Sequence, residues 1–357
     1  MRITEPATKV DDIRTIEMVI DDFLERKLEK STMMSPYYRD LWAEIARMFR
    51  SGGKRLRPRL AILSYQMFGG KDVDAVLPAA TALELLHLGM LIHDDIIDRD
   101  YVRYGVDNVA GGYNKKYDEL VPDATDRLHY SHSAALLAGD LLLSEAYLLM
   151  AESRVDAHQV LIIQKILGQS IFEVIGGELL DTEAAFRSMS EISTEKVARY
   201  KTASYTTTLP MLVGAQLAGM SEAEQVHVRT FGRNLGIAFQ LRDDILGIFG
   251  DEAVTGKTTI GDIREGKNTY MIEQFYALAT PEQRETFDRY FGNAGITSAQ
   301  ADTIRELLRQ TGALDATEQA VNQYESVARA ALSKLTIDQS YYEQLNMIIA
   351  AVTKRVK

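Results

Sequence analysis

Residues 73–98 read VDAVLPAATALELLHLGMLIHDDIID, and their periodicity decides the fold class. Leu83, His87, Met90, Asp94 and Asp98 recur at alternating four- and three-residue steps, the period of one helical face. On a helix, Asp94 and Asp98 stand about 40° apart around the axis and ~5.4 Å apart along it, while Asp95 is rotated roughly 100° from Asp94. The same period runs through most of the chain, and short alternating β-branched runs between turn pairs are scarce. Ser221 with Glu224, Thr280 with Gln283 and Thr297 with Gln300 each match a capping box, and Pro281 suits a first helical turn. The expectation is an all-α chain of ten or more helices, packed as a single bundle-like domain over residues 1–357.

Composition narrows the function classes. The 357 residues include 7 Pro and no Cys. That is about 2% Pro against a usual ~5%, which favours long uninterrupted helices. The weakest helical stretch, Tyr104–Asp126, holds Gly105, Gly111, Gly112 and Pro122 and reads as a connection with a short helix over Tyr113–Leu120. Gly250–Asn268 reads as a second loop. Zero Cys excludes disulfides, thiolate zinc sites and a cysteine nucleophile. A net charge of −11 argues against a general nucleic-acid binder, but not against an anionic small substrate held by local cations or a metal. Asp140 and Glu145 interrupt the most apolar stretch, Ala134–Ala151, so no transmembrane segment is expected. Met1–Asp12 lacks the apolar core of a signal peptide, and a soluble cytoplasmic protein is the expectation.

The chemistry lies in two acidic clusters. The first is LIHDDIID at 91–98; the second is FQLRDDILG at 239–247, where Gly236, Gln240, Asp243 and Gly247 share a face. Carboxylates one turn apart repel, and placing them among Leu and Ile adds a desolvation cost. A hard divalent cation removes both penalties. Mg²⁺ takes one or two carboxylates, keeps several waters and fills its other positions with phosphate oxygens. A complementary basic set begins with GGKRLRP at 52–58, three cations behind two glycines and before a helix that Pro58 can open. This is not a P-loop, because the GxxxxGK[ST] spacing is missing. Arg103, Lys201-Thr202, Lys257 and Lys267 add further cations.

These stretches resemble the trans-isoprenyl diphosphate synthase (polyprenyl synthetase) family, including its farnesyl and geranylgeranyl diphosphate synthases. The matching segments are GGKRLRP (52–58), ELLHLGMLIHDDIIDRDYVRYG (84–105), LLAGD (136–140), YKTASY (200–205) and GIAFQLRDDILGIFGDEAVTGKTTIGDIREGK (236–267). The resemblance implies an all-α fold with a central cavity, a homodimer, and Mg²⁺ bridging an allylic diphosphate to both acidic motifs. It places Asp94, Asp95, Asp98, Asp243 and Asp244 as metal-binding residues. Arg103, Lys201, Thr202, Gln240 and Lys257 would meet the allylic diphosphate, and Gly53, Lys54, Arg57 and His87 the isopentenyl diphosphate. The implied reaction ionises the allylic diphosphate, lets the isopentenyl double bond attack, and loses a proton.

Three features bear on how closely the chain follows that pattern. Arg103-Tyr104-Gly105 stands where the family carries Arg-Arg-Gly, which removes a charge that Arg55 is a candidate to replace. Gly247 stands where the second motif ordinarily ends in Asp; Asp251 would restore the face if the helix continued through Gly250. Gly89 and Met90 precede Asp94 by five and four residues, where bulk sets the floor of the product cavity. Gly89 offers no plug and Met90 a partial one, so the expected product is C20, with C15 second. A terpene cyclase is the nearest alternative enzyme, but residues 243–251 do not fit its second metal motif. A non-catalytic or partner-dependent prenyl-diphosphate-binding subunit is the alternative that Tyr104 and Gly247 motivate.

Overall fold

The computed structural model describes residues 10–187, 191–250 and 259–354. It is all-α, apart from a two-stranded antiparallel hairpin, β1 (Val102–Arg103) and β2 (Val106–Asp107). The chain divides into two compact units, Ala7–Leu167 with Val213–Met220, and Gly168–Leu212 with Ser221–Lys357.

The first unit is built from α1 (Val10–Met34), α2 (Pro36–Arg50), α3 (Leu56–Met67), α4 (Leu77–Ile97), α5 (Val109–Lys116) and α6 (Ala124–Ala151). Ser35 caps α2 by accepting from the Tyr37 N–H, with Pro36 in the first turn, and Asp123 caps α6 by accepting from Thr125 and Asp126. Trp42, Ile62, Leu83 and Leu86 lie in its core, each almost fully buried. Helix α4 packs along α6, and Gly89 permits their close approach: a β-carbon there would lie 3.2 Å from Leu142 Cβ and 3.3 Å from Gly139 O.

The short helix expected over Tyr113–Leu120 is displaced to Val109–Lys116. Asn108 caps it by accepting from the Gly111 N–H. The glycines that read as breakers are required inside it, since a β-carbon on Gly111 would fall 2.2 Å from Tyr101 O.

The second unit contains the C-terminal part of α7 (Ala157–Ala184), then α8 (Thr194–Val197), a π-helix over Ala198–Thr208, and α10 (Glu222–Phe249) after α9 (Leu209–Leu217). The three capping boxes form as expected, at Ser221, Thr280 and Thr297. Phe275, Phe287, Ile304 and Leu308 make one core cluster; Ile237, Leu241, Ile245 and Val321 make another against α10. Gly250–Asn268 holds a five-residue helix, Gly261–Glu265, within the stretch read as a loop.

By length and composition α6 and α7 would each suffice to cross a membrane, which differs from the sequence expectation. In the first unit, however, α6 packs against α4 and α5, and its Glu145 is ion-paired with Lys27.

Candidate functional site

The residues singled out in the sequence fall into two groups, one in each unit. In the first unit, Asp94 and Asp95 lie in the last turn of α4, and Asp98 is its exposed C-cap. Their roles separate. Asp95 is buried and accepts a 2.7 Å hydrogen bond from Arg103 Nε, while Arg103 Nη2 reaches Asp94 Oδ2 at 3.3 Å. Burial raises the Asp95 carboxyl above the usual range, against the opposing pull of Arg103. Its Oδ2 is buried and accepts no hydrogen bond.

The basic loop lies before α3. Gly53 adopts φ 126°, a conformation open to glycine, and Gly53 and Lys54 are exposed. Arg57 is already inside α3 and buried. His87 sits in the middle of α4, where burial and then Arg57, Arg103 and Arg55 hold its imidazolium well below the usual range. Arg57, His87, Arg103 and Tyr104 are thus electrostatic neighbours.

Arg55 is not a replacement cation for the charge missing at Tyr104. It is buried at φ 49° and donates to Glu17 Oε1 (2.8 Å), Glu84 Oε1 (3.0 Å) and the carbonyls of Gly52 and Phe49. Two carboxylates and two carbonyls consume its donors. Glu84 and Glu17 carry no sequence signal of this role, because nothing local links them to the loop.

In the second unit the π-helix carries Lys201 and Thr202. Lys201 Nζ lies 3.0 Å from Glu178 Oε1 and 2.7 Å from Asp181 Oδ2. Thr202 Oγ1 donates to Gln240 Oε1 (2.6 Å), and Gln240 Nε2 donates to Asp244 Oδ1 (2.8 Å), so a relay ties the π-helix to the acidic motif. Asp243 is half-buried on α10. Asp244 is buried, which pushes its carboxyl up to about 6 against the pull of Lys267 and Gln240. Lys267 is the cation that faces Asp244, Asp262 and Asp181, and their charge keeps its ammonium raised despite burial. Lys201, Gln240, Asp244 and Lys267 line a cavity of about 60 Å³. Lys257 and Asp251 lie outside the described residues. Helix α10 ends at Phe249 with Gly250 extended, so it does not continue through Gly250 as the Asp251 reading required.

Each unit by itself offers donors suited to a hard divalent ion: in the first, carboxylate oxygens beside Arg103, one of them buried without a donor, and in the second, carboxylate oxygens beside Lys201. Among the described residues no three His, Cys, Asp or Glu side chains already stand together as a metal site. Such an ion would draw its remaining ligands from water and phosphate oxygens.

Comparison with known proteins agrees with this chemistry. A family model described as polyprenyl synthetase matches residues 39–310. A geranylfarnesyl diphosphate synthase of Aeropyrum pernix is 32% identical over 320 residues, covering 87% of this chain and 92% of that protein. A geranylgeranyl pyrophosphate synthase of Corynebacterium glutamicum, solved with isoprenyl diphosphate and magnesium, matches with TM-score 0.84 and 31% identity over 96% of this chain and 99% of that one. A polyprenyl synthase of Caulobacter crescentus, solved with calcium and isoprenyl diphosphate, matches with TM-score 0.74 and 27% identity over 98% of both.

Proposed function

Because the chain belongs to the polyprenyl synthetase family, we propose that it elongates an allylic diphosphate with isopentenyl diphosphate, as a Mg²⁺-dependent trans-prenyltransferase of the geranylgeranyl/farnesyl type. The whole chain acts as one prenyltransferase domain in the cytoplasm. The observation that carries the reading is the pairing of chemistries in the first unit. Carboxylates Asp94 and Asp95 meet Arg103, and Arg103 shares its surroundings with Arg57 and His87.

Asp94 and Asp98 in the first unit, and Asp243 supported by Asp244 in the second, are the carboxylates that would hold Mg²⁺. Asp95 belongs with them by motif, and its bond to Arg103 gives it the added task of aiming that guanidinium. Bound magnesium supplies positive charge to a diphosphate leaving group as its negative charge grows. Arg103 and Lys201 add fixed cations to the same end, with Thr202 and Gln240 holding the allylic diphosphate beside Lys201, and Lys257 completing that set. Gly53 and Lys54 present an open backbone and a flexible ammonium to isopentenyl diphosphate, with Arg57 behind them. His87, held neutral, offers hydrogen bonds to that diphosphate and no charge. No side-chain nucleophile is needed: the allylic carbon is attacked by the double bond, and the departing diphosphate accepts the proton.

The product is geranylgeranyl diphosphate (C20), with farnesyl diphosphate (C15) second. Gly89 faces α6 closely, so Met90 is the residue left to limit depth. The protein acts as a homodimer: α7 exposes Phe172, Ile175 and Leu179 at helical spacing, 75%, 54% and 61% accessible, and a second copy would cover them.

The test is incorporation of radiolabelled isopentenyl diphosphate with C5, C10 and C15 allylic primers, with and without Mg²⁺. Extension that requires Mg²⁺ is expected. No incorporation with any primer would overturn the reading.

A further inference from the structure

We infer that Asn108 is a positioning residue for the reaction: its side-chain amide fixes the foot of the β1–β2 hairpin against α4 and so aims Arg103 at the first acidic motif. The inference rests on the proposed function and deepens it, by naming a neutral residue outside the charged motifs.

The hairpin carries Arg103 and needs an anchor. Its strands pair only Val102 with Asp107 and Arg103 with Val106. A two-stranded ribbon that short does not hold its shape alone. The anchor stands directly after β2. Asn108 is 1% exposed, and its N–H donates to Tyr101 O at 3.0 Å, which extends the ladder by one rung toward α4. Its Nδ2 donates to Asp100 O at 2.7 Å, and the Asp100 N–H in turn donates to Asp95 O at 2.8 Å. Its Oδ1 accepts from the Gly111 N–H at 2.8 Å at the start of α5. One side chain thus joins the end of α4, the foot of the hairpin and the cap of α5.

The surroundings keep that junction still. Arg47 Nη2, on α2, donates to Asn108 O at 3.4 Å. On the other side of the foot, the Tyr101 ring stacks on His132 of α6, and its hydroxyl is hydrogen-bonded to His132 Nε2 at 3.1 Å. From this base Arg103 reaches Asp95 Oδ1 with Nε at 2.7 Å and Asp94 Oδ2 with Nη2 at 3.3 Å. A guanidinium that makes two directed contacts tolerates little movement of the backbone that carries it.

Capping does not by itself select asparagine, because Ser, Thr and Asp cap helices as well. Among these only Asn adds an amide donor to the capping oxygen, and here the donor is used on Asp100 O. Burial raises the Asp95 carboxyl, and besides Arg103 the Asn108 amide is the group that opposes the rise. The amide therefore supports both the carboxylate that Arg103 binds and the strand from which Arg103 reaches it.

Two substitutions separate the cap from the amide. Asn108→Ser keeps an oxygen for the Gly111 N–H and loses the amide donor, whereas Asn108→Ala loses both. Wild type and variants are assayed by incorporation of radiolabelled isopentenyl diphosphate with a C10 allylic primer and Mg²⁺, with thermal unfolding in parallel. Asn108→Ser is expected to keep Tm within about 4 °C of wild type. Its kcat/KM for the allylic diphosphate is expected to fall about ten- to a hundredfold, with the isopentenyl KM within about twofold. Asn108→Ala is expected to show the same kinetic loss together with a lower Tm. Arg103→Lys and the double variant Asn108→Ser/Arg103→Lys complete a cycle. Because Asn108 acts through Arg103, Asn108→Ser is expected to cost less than about threefold once Arg103 is changed. Wild-type kinetics in Asn108→Ser, or losses that multiply in the double variant, overturn the inference and leave the proposed function standing. No turnover by wild type itself overturns the proposed function and this inference with it.

Discussion

Arg55 and Glu84 form an ion pair inside the first unit, Nη1 to Oε1 at 3.0 Å, with side chains only 6% and 5% accessible. Arg55 also holds the carbonyls of Gly52 and Phe49, so the pair pins the glycine loop in front of α3. Removing one partner leaves a charge buried alone. Arg55→Met is expected to cost about 3–5 kcal/mol in urea unfolding, while Arg55→Met/Glu84→Met recovers much of it. A loss below about 1 kcal/mol for the single variant would show that water reaches the pair.

Tyr104 stands at φ 55°, with its ring packed where a β-carbon of Gly52 would come within 3.4 Å of Cγ. Arg103, Glu84, Arg57 and Arg55 are the charges around its phenol, three cations and one carboxylate that Arg55 already pairs. An arginine here would add a charge-assisted contact worth ~1.5–3 kcal/mol in isolation. The neighbouring arginines repel that charge, so the low end of the range applies. Tyr104→Arg is expected to lower the KM for isopentenyl diphosphate about tenfold, with the allylic KM unchanged. An unchanged isopentenyl KM would remove the position from that subsite.

His87 titrates below its ordinary value in the folded chain because burial and three arginines oppose its charge. The sign follows from linkage. Below about pH 6.5 the unfolded chain takes up a proton that native His87 refuses, so stability falls as pH drops and is fully retained above that value. His87→Gln is therefore expected to show a shallower loss of unfolding free energy between about pH 7.5 and 5 than wild type. Parallel curves would mean that His87 takes up its proton in the native state as readily as in the unfolded chain.

Product length tests the α4–α6 contact. A side chain at Gly89 meets Leu142 and the Gly139 carbonyl, whereas Met90 is only partly buried. Met90→Ala is expected to lengthen the main product and Met90→Phe to shorten it, read by chromatography of the dephosphorylated alcohols. Gly89→Phe is expected to lower Tm by prying α6 away. Products indifferent to residue 90 would place the depth limit on another helix.

What could be read from the sequence was local. The capping boxes, the aspartates of α4 and the cations near Gly53 sit within a turn or two of their signals. The roles that stayed hidden depend on distant partners. Arg55 reads as a spare cation until Glu17 on α1 and Glu84 on α4 close around it. Gly247 gives no sign of its neighbour, yet a β-carbon there would lie 2.0 Å from Asp262 Oδ2 of the following segment. Gly111 and Gly112 read as breakers because the oxygen atoms of Tyr101 and Glu44 that press on them are remote. The π-helix left no periodic signature, since its wider turn is selected by packing rather than by side-chain spacing.

That packing can be probed at Gly177. A β-carbon there would fall 2.2 Å from the Lys201 backbone nitrogen and 2.7 Å from its Cα. Ordinary contact needs roughly 3.5 Å, so Gly177→Ala must push the π-helix away from α7 by roughly 1 Å. Lys201 would leave Glu178 and Asp181, and Thr202 would strain its bond to Gln240. A misplacement of that size costs up to about a hundredfold in rate. Gly177→Ala is expected to lower kcat/KM for the allylic diphosphate by about ten- to a hundredfold, with the isopentenyl KM within about twofold of wild type. A purely structural role would instead lower Tm and leave the surviving enzyme with unchanged allylic kinetics, and that outcome would separate Lys201 from the allylic diphosphate.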